Sequence, residues 1–228
     1  MRFYKNLLTL GLGLLTAWGT PIVPASENKA RAIENQPTTD VLDKRAVPPT
    51  VNVVLWGGLG KGTETHPTYV ATLNTAFSGP PSHNELIEYA EKGFESMMAQ
   101  KHPKKNTHLM AALFIPSTKS IYLSSVPDGP GIKKIRSTGA ANAPAWWSQV
   151  KARDPLVFHA EDGAAYRYEN SLTTKLKPGN MYPAGSFIAV YGIVENKAPQ
   201  HVPLCAGGGK RPLNVPCSTV FRHLDVGF

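Results

Sequence analysis

The chain has 228 residues, with 24 Lys+Arg against 16 Asp+Glu (formal net charge +8), 42% hydrophobic residues and only two cysteines. That length suits one domain with a real core. No internal repeat and no second domain is evident, and nothing beyond the first residues is apolar enough to span a membrane. The basic balance is compatible with nucleic acid or an anionic surface and specifies neither.

Arg2 and Lys5 precede an apolar run from Leu7 to Trp18, too short to cross a bilayer, and Val23-Pro24-Ala25 offers a small-residue cleavage site. Residues 1–25 are therefore expected to be a secretory signal peptide. Residues 26–45 are polar, lack a hydrophobic period and end in Lys44-Arg45, which resembles a pro-segment closed by a dibasic processing site. Removing residues 1–45 takes away six basic and four acidic residues, leaving Ala46–Phe228, 183 residues with net charge +6. The expected product is secreted and extracellular. It has no N-x-S/T sequon, so N-glycosylation is not expected.

Thr50 to Trp56 has strand composition. The glycines that follow (Gly57, Gly58, Gly60, Gly62) form a turn rather than a phosphate loop, because Gly62 separates Lys61 from Thr63. Ser82-His83-Asn84-Glu85 is a capping box. It opens a helix whose stripe of Leu86, Ala90, Phe94 and Met97 faces a core, and Lys101-His102-Pro103 ends it. His108 to Ile115 reads as a buried strand and Ser120 to Val126 as its return. The four residues Pro116 to Lys119 between them favour an antiparallel hairpin. Asp128-Gly129-Pro130-Gly131 stops the return strand, and the next stretch, to about Ala145, basic then rich in small residues, reads as an exposed loop. Trp146-Trp147 lies in a short helical segment ending near Val150. Packing is the simpler role for this pair, and stacking on a base is the functional alternative. Asp154-Pro155 offers a cap and first turn for a helix starting just before His159 and reaching about Asn170. Ser186 to Val194 is a further strand. Ser218 to Leu224 is at most a short helix.

Two features carry chemistry. His159-Ala160-Glu161 places an imidazole and a carboxylate in the first turn of a helix, where positions i and i+2 can be aimed at one cavity. Cys217 follows Pro216, and the other cysteine is Cys205. Two cysteines in a secreted chain ordinarily make one disulfide, stabilising on the order of 3 kcal/mol in the chain-entropy model. The eleven residues between them, which include Gly207-Gly208-Gly209, can also bring both thiols to one metal at modest entropic cost.

The order helix, β-hairpin, helix beginning His-Ala-Glu, strand, Pro-Cys and short helix resembles the core of the cytidine deaminase superfamily, more loosely its secreted toxin-type members. The resemblance covers about Ser82 to Leu224. It implies a three-layer α/β fold, with a mixed sheet and a β-hairpin flanked by helices. It also implies Zn2+ held by His159, Cys205 and Cys217 with a fourth position open. Glu161 would be the proton carrier for attack on an amidine-like ring carbon. The substrate would be a nucleobase, a nucleoside or a nucleic acid, with Trp146 and Trp147 as candidate substrate contacts. The biological role would be a toxin or effector entering another cell and meeting a host target. The chain departs from the family pattern after Cys217, where Ser218, Thr219 and Val220 stand in place of a second cysteine two residues on. Cys205 has to supply the second thiolate.

Two other readings remain open at this level. A non-enzymatic secreted binding protein could use Cys205 and Cys217 as a disulfide staple, with His159 and Glu161 as solvated residues at a helix start. A metal-independent nuclease could use His159 or His201 with Glu161. His201 is also a substitute metal ligand by its nearness to Cys205.

Overall fold

The computed structural model describes residues 50–56, 68–74, 79–100, 108–153, 156–195, 197–205 and 214–228, all within one unit, Lys44–Phe228. The expected signal and pro-segment at 1–45, the glycine turn at 57–62, the helix stop at 101–103, Asp154-Pro155 and the glycines at 207–209 lie outside the described residues.

In chain order the elements are β1 (Val54–Leu55), β2 (Tyr69–Asn74), α1 (His83–Met98), β3 (His108–Ile115), β4 (Ser120–Ser125), α2 (Gly129–Asn142), α3 (Pro144–Val150), α4 (Ala160–Ser171), β5 (Phe187–Ile193), β6 (Gln200–His201) and α5 (Cys217–His223). The strands form one sheet in the order β1-β2-β4-β3-β5-β6. β3 and β4 make the expected hairpin, with Ile115 opposite Ser120 and Met110 opposite Ser125.

The sheet is not mixed. Every paired strand runs antiparallel, and the one parallel contact among the described residues is an isolated bridge, Phe187 to Gly227. The reason is topological. β4, α4 and β5 make a crossover whose two strands point the same way, but β3 lies between them and opposes both.

Both faces of the sheet are covered, so the strands read as near-continuous apolar runs. Alternate residues of β3 divide the core. Met110, Ala112 and Phe114 pack with Leu86, Tyr89, Ala90, Phe94 and Met97 of α1. Ala111, Leu113 and Ile115 pack on the other face with α3, α4 and α5, through Trp146, Ala164 and Phe221 among others. This gives the three expected layers. α1 begins with the capping box read from the sequence: the Ser82 hydroxyl accepts from the Glu85 amide, and the Glu85 carboxylate accepts from the Ser82 amide.

The stretch after β4 is a helix, not an exposed loop. Asp128 caps α2 with a carboxylate accepting from the Gly129 amide, and Pro130 sits in its first turn. A Cβ on Gly131 would meet the Thr68 side chain, and one on Gly139 would lie 2.5 Å from the Trp147 ring. The small residues are contact points, so α2 packs closely with little apolar surface of its own. α4 also starts later than expected: His159 is its cap and is extended, and the helix runs from Ala160 to Ser171.

Candidate metal centre

α4 crosses the sheet with its first turn over the end of β4. Gly163 allows the approach, since a Cβ there would lie 2.1 Å from Ser124 Oγ and 3.1 Å from the Pro127 side chain. α5 begins beside it with Cys217, fully buried. The segment after β6 brings in Cys205, whose sulfur accepts from the Cys217 amide at 3.1 Å, while the Ser218 amide donates to the Cys205 carbonyl at 3.2 Å. These two backbone contacts hold Cys205 against the first turn of α5, beside Cys217.

His159 Nδ1 lies 3.1 Å from Cys217 Sγ and 3.4 Å from Cys205 Sγ. Both cysteines are free thiols. The ligand atoms of His159, Cys205 and Cys217 all lie within 4.8 Å of one another, so this group could hold a metal ion. One nitrogen and two sulfurs are the soft donor set that zinc takes. Tetrahedral zinc, with bonds of about 2.1 Å to nitrogen and 2.3 Å to sulfur, spaces such donors about 3.6–3.8 Å apart. The imidazole nitrogen therefore needs to draw back from the two sulfurs by only a few tenths of an ångström around an ion.

The protonation pattern is that of three groups sharing too few protons. A hydrogen bond from Cys217 and the neighbouring imidazolium hold the Cys205 thiol well below its ordinary value, against the effect of burial. The same hydrogen bond, with burial, pushes Cys217 well above it. Burial alone would depress His159, but the Cys205 hydrogen bond and the nearby charges of Glu161 and Asp162 raise it to about 9.

Glu161 is buried, and its Oε2 has no hydrogen-bond partner. Burial lifts its carboxyl to about 7, opposed by the charge of His159 and by its own backbone amide. An orphaned carboxylate oxygen inside a protein is rare and calls for a physical reason. Here it belongs to the residue two positions after a metal-capable histidine.

Beneath this group lies a buried ion pair. The side chains of Arg153 and Asp162 are both 0% exposed. Asp162 also accepts from the His159 amide at 2.8 Å and from Trp146 Nε1 at 3.0 Å. Arg153 donates to the carbonyls of Val215 (2.8 Å) and Val157 (3.1 Å), and its Nη2 lies 3.6 Å from Cys217 Sγ. One guanidinium thus ties the residue before Pro216 to the segment entering α4. A second carboxylate, Glu169, caps α3 by accepting from the Ala145 and Trp146 amides (2.9 and 2.7 Å) and also takes the Tyr182 hydroxyl at 2.9 Å.

Of the residues singled out in the sequence, His159, Cys205 and Cys217 converge, with Glu161 beside them. Trp146 does not present a stacking face. It is fully buried, its ring packs on Phe158 at 5.7 Å, and its N–H is committed to Asp162. Trp147 is half-buried and lies against Trp146, Phe158 and Gly139. His201 is not in the cluster; its ring meets His83 edge-on at 5.5 Å. Arg153, Asp162 and Glu169 escaped the sequence reading. Only the Asp162 position, third in a helix beginning at an extended cap, carries a sequence signal.

No protein-family model matches the chain, and no curated protein or solved structure shows significant similarity to it. Among the described residues, no helix is long and apolar enough to cross a membrane.

Proposed function

We propose that the protein is a zinc-dependent hydrolytic deaminase acting on a nucleobase, free or within a nucleoside or nucleic acid. One observation carries this reading. His159, Cys205 and Cys217 form a group that could hold a metal ion, and the buried carboxylate next to it has an oxygen with no protein partner. Three protein donors leave a position open, as catalytic rather than structural zinc sites do. The His-x-Glu spacing and Pro216-Cys217 match the signature in which the glutamate is not a ligand but handles protons.

When bound, the ion supplies Lewis acidity that brings the pKa of a water towards neutrality. The chain supplies the rest. Glu161 would take one proton of the attacking water and pass it to the ring nitrogen, then carry the proton of the newly bonded hydroxyl to the amino group, which leaves as ammonia as the ring carbon becomes a carbonyl. Asp162 holds the His159 backbone, and Arg153 stands beside Cys217. Burial of Glu161 keeps bulk water from competing for the proton.

The N-terminal apolar run and the Lys44-Arg45 pair support a secreted, processed protein, and a secreted deaminase acts most naturally as a toxin or effector. The test is ammonia release from cytosine and adenine nucleosides and from single-stranded oligonucleotides by the zinc-loaded protein. Turnover that vanishes in Glu161→Gln, with folding and zinc content intact, is the expected result. Turnover unchanged by that substitution refutes the mechanism.

A further inference from the structure

Arg167 lies on α4 two turns beyond His159, about 12 Å along the helix at 1.5 Å per residue. Its Nη2 donates to Thr72 Oγ1 of β2 at 2.9 Å. Its Nε is buried without a partner, and among the described residues no acidic side chain pairs with it, in contrast to the matched Arg153. The guanidinium is largely withdrawn from water, which lowers its pKa. A half-buried cation with an unsatisfied N–H and no counter-charge is costly. The fold retains it beside exposed groups: Thr72 is exposed, and β1 pairs only with the first two residues of β2, so among the described residues no strand lies on that edge of β2 beyond Val70. A planar guanidinium in such a position matches an oxyanion with two acceptor oxygens.

We propose that Arg167, with Thr72 beside it, is the binding site for a phosphate group. Resting on the deaminase reading, that phosphate belongs to the substrate, so the protein takes a nucleotide or a nucleic-acid strand in preference to the free base or nucleoside. Nothing in the centre itself makes that selection, because His159, Glu161 and the two cysteines address only the ring.

The test uses zinc-loaded Glu161→Gln protein, so that binding is read without turnover, with and without Arg167→Met. The probes are a nucleoside, its 5′-monophosphate and a short labelled single-stranded oligonucleotide. Inorganic phosphate serves in a separate thermal-shift series. At least one phosphate-bearing probe is expected to bind ten- to a hundredfold tighter than the nucleoside, a preference that Arg167→Met abolishes while nucleoside affinity stays the same. A preference for the monophosphate names a nucleotide substrate, and a preference confined to the oligonucleotide names a strand. Equal binding of all probes, or a phosphate preference that survives Arg167→Met, overturns the site. Should no nucleoside or nucleotide bind, yet inorganic phosphate still raise the melting temperature of the parent and not of Arg167→Met, the anion site stands and the deaminase reading falls. If Arg167→Met melts well below its parent in phosphate-free buffer and phosphate does not stabilise the parent, the guanidinium is a packing element and the proposal is wrong.

Discussion

Replacing Arg153 by methionine keeps much of the side-chain volume and removes the charge under the candidate centre. The structure fixes what is lost: the ion pair with Asp162, the bonds to the Val157 and Val215 carbonyls, and the donor beside Cys217 Sγ. Both ionic side chains are fully buried. Removing one partner of such a pair costs about 3–5 kcal/mol, mostly because the other charge is stranded. Asp162 keeps the His159 amide and Trp146 Nε1 as donors, which favours the lower end of that range. In a domain of this size the loss corresponds to a fall in melting temperature of about 6–20 °C. With Cys217 as a ligand, as proposed, loss of the group next to its sulfur should weaken metal binding by about 10- to 100-fold. The assay is thermal unfolding with and without zinc, together with zinc affinity from competition with a chromogenic chelator. Adding Asp162→Asn to Arg153→Met should recover part of the stability, since the stranded charge is then gone. A variant that melts within about 1 kcal/mol of the parent and binds zinc equally well would show that the network neither supports the fold nor tunes the centre.

Three further outcomes are expected. Gly163→Ala forces a Cβ into the side chain of Ser124, so it should cost about 1–3 kcal/mol by overpacking, read by urea denaturation; a neutral effect means α4 does not sit this close to β4. Burial raises the Glu169 pKa above its ordinary 4.5, so the folded state binds this proton more tightly than the unfolded one. The stability it contributes is therefore full below about pH 4.5 and is lost as pH rises through the folded-state value. Glu169→Gln should cost about 1–3 kcal/mol through mispaired Ala145 and Trp146 amides, with a gap to the parent that narrows as pH rises from 4.5; a pH-independent gap contradicts the assignment. Glu161→Gln should leave the melting temperature unlowered, because Oε2 has no bond to lose, while deaminase turnover falls by about 10²–10⁴.

What the sequence disclosed follows from how local its signals are. α1 announces itself through a capping box and an apolar stripe, and β3 and β4 through continuous apolar runs around a four-residue turn. α4 is different. It is buried through most of its length yet is rich in Ala, Gly, Glu, Asp and Tyr, so no hydrophobic period marks it, and the signals for it are the Asp154-Pro155 start and the His159-Ala160-Glu161 spacing. α2 was hidden for a related reason: Gly131 and Gly139 are contact points against Thr68 and Trp147, which composition alone reads as loop. The candidate centre was legible in its three donor residues and illegible in its support. Cys205 reaches Cys217 through backbone contacts across a long connection, and Arg153 acts on residues 62 and 64 positions away. Trp146 takes the simpler of the two roles its sequence allowed: burial and the Asp162 bond make it a packing residue, not a stacking one.

In the proposed function His159, Cys205 and Cys217 hold a metal ion, and the cysteines do not form a staple. Native mass spectrometry of the full chain produced in a secreting eukaryotic host tests it most directly, because one spectrum reports bound metal and the oxidation state of both thiols. The account predicts one zinc per chain with both thiols reduced, lost in His159→Ala and in Cys217→Ser. A metal-free protein two hydrogens lighter than the reduced chain would contradict it.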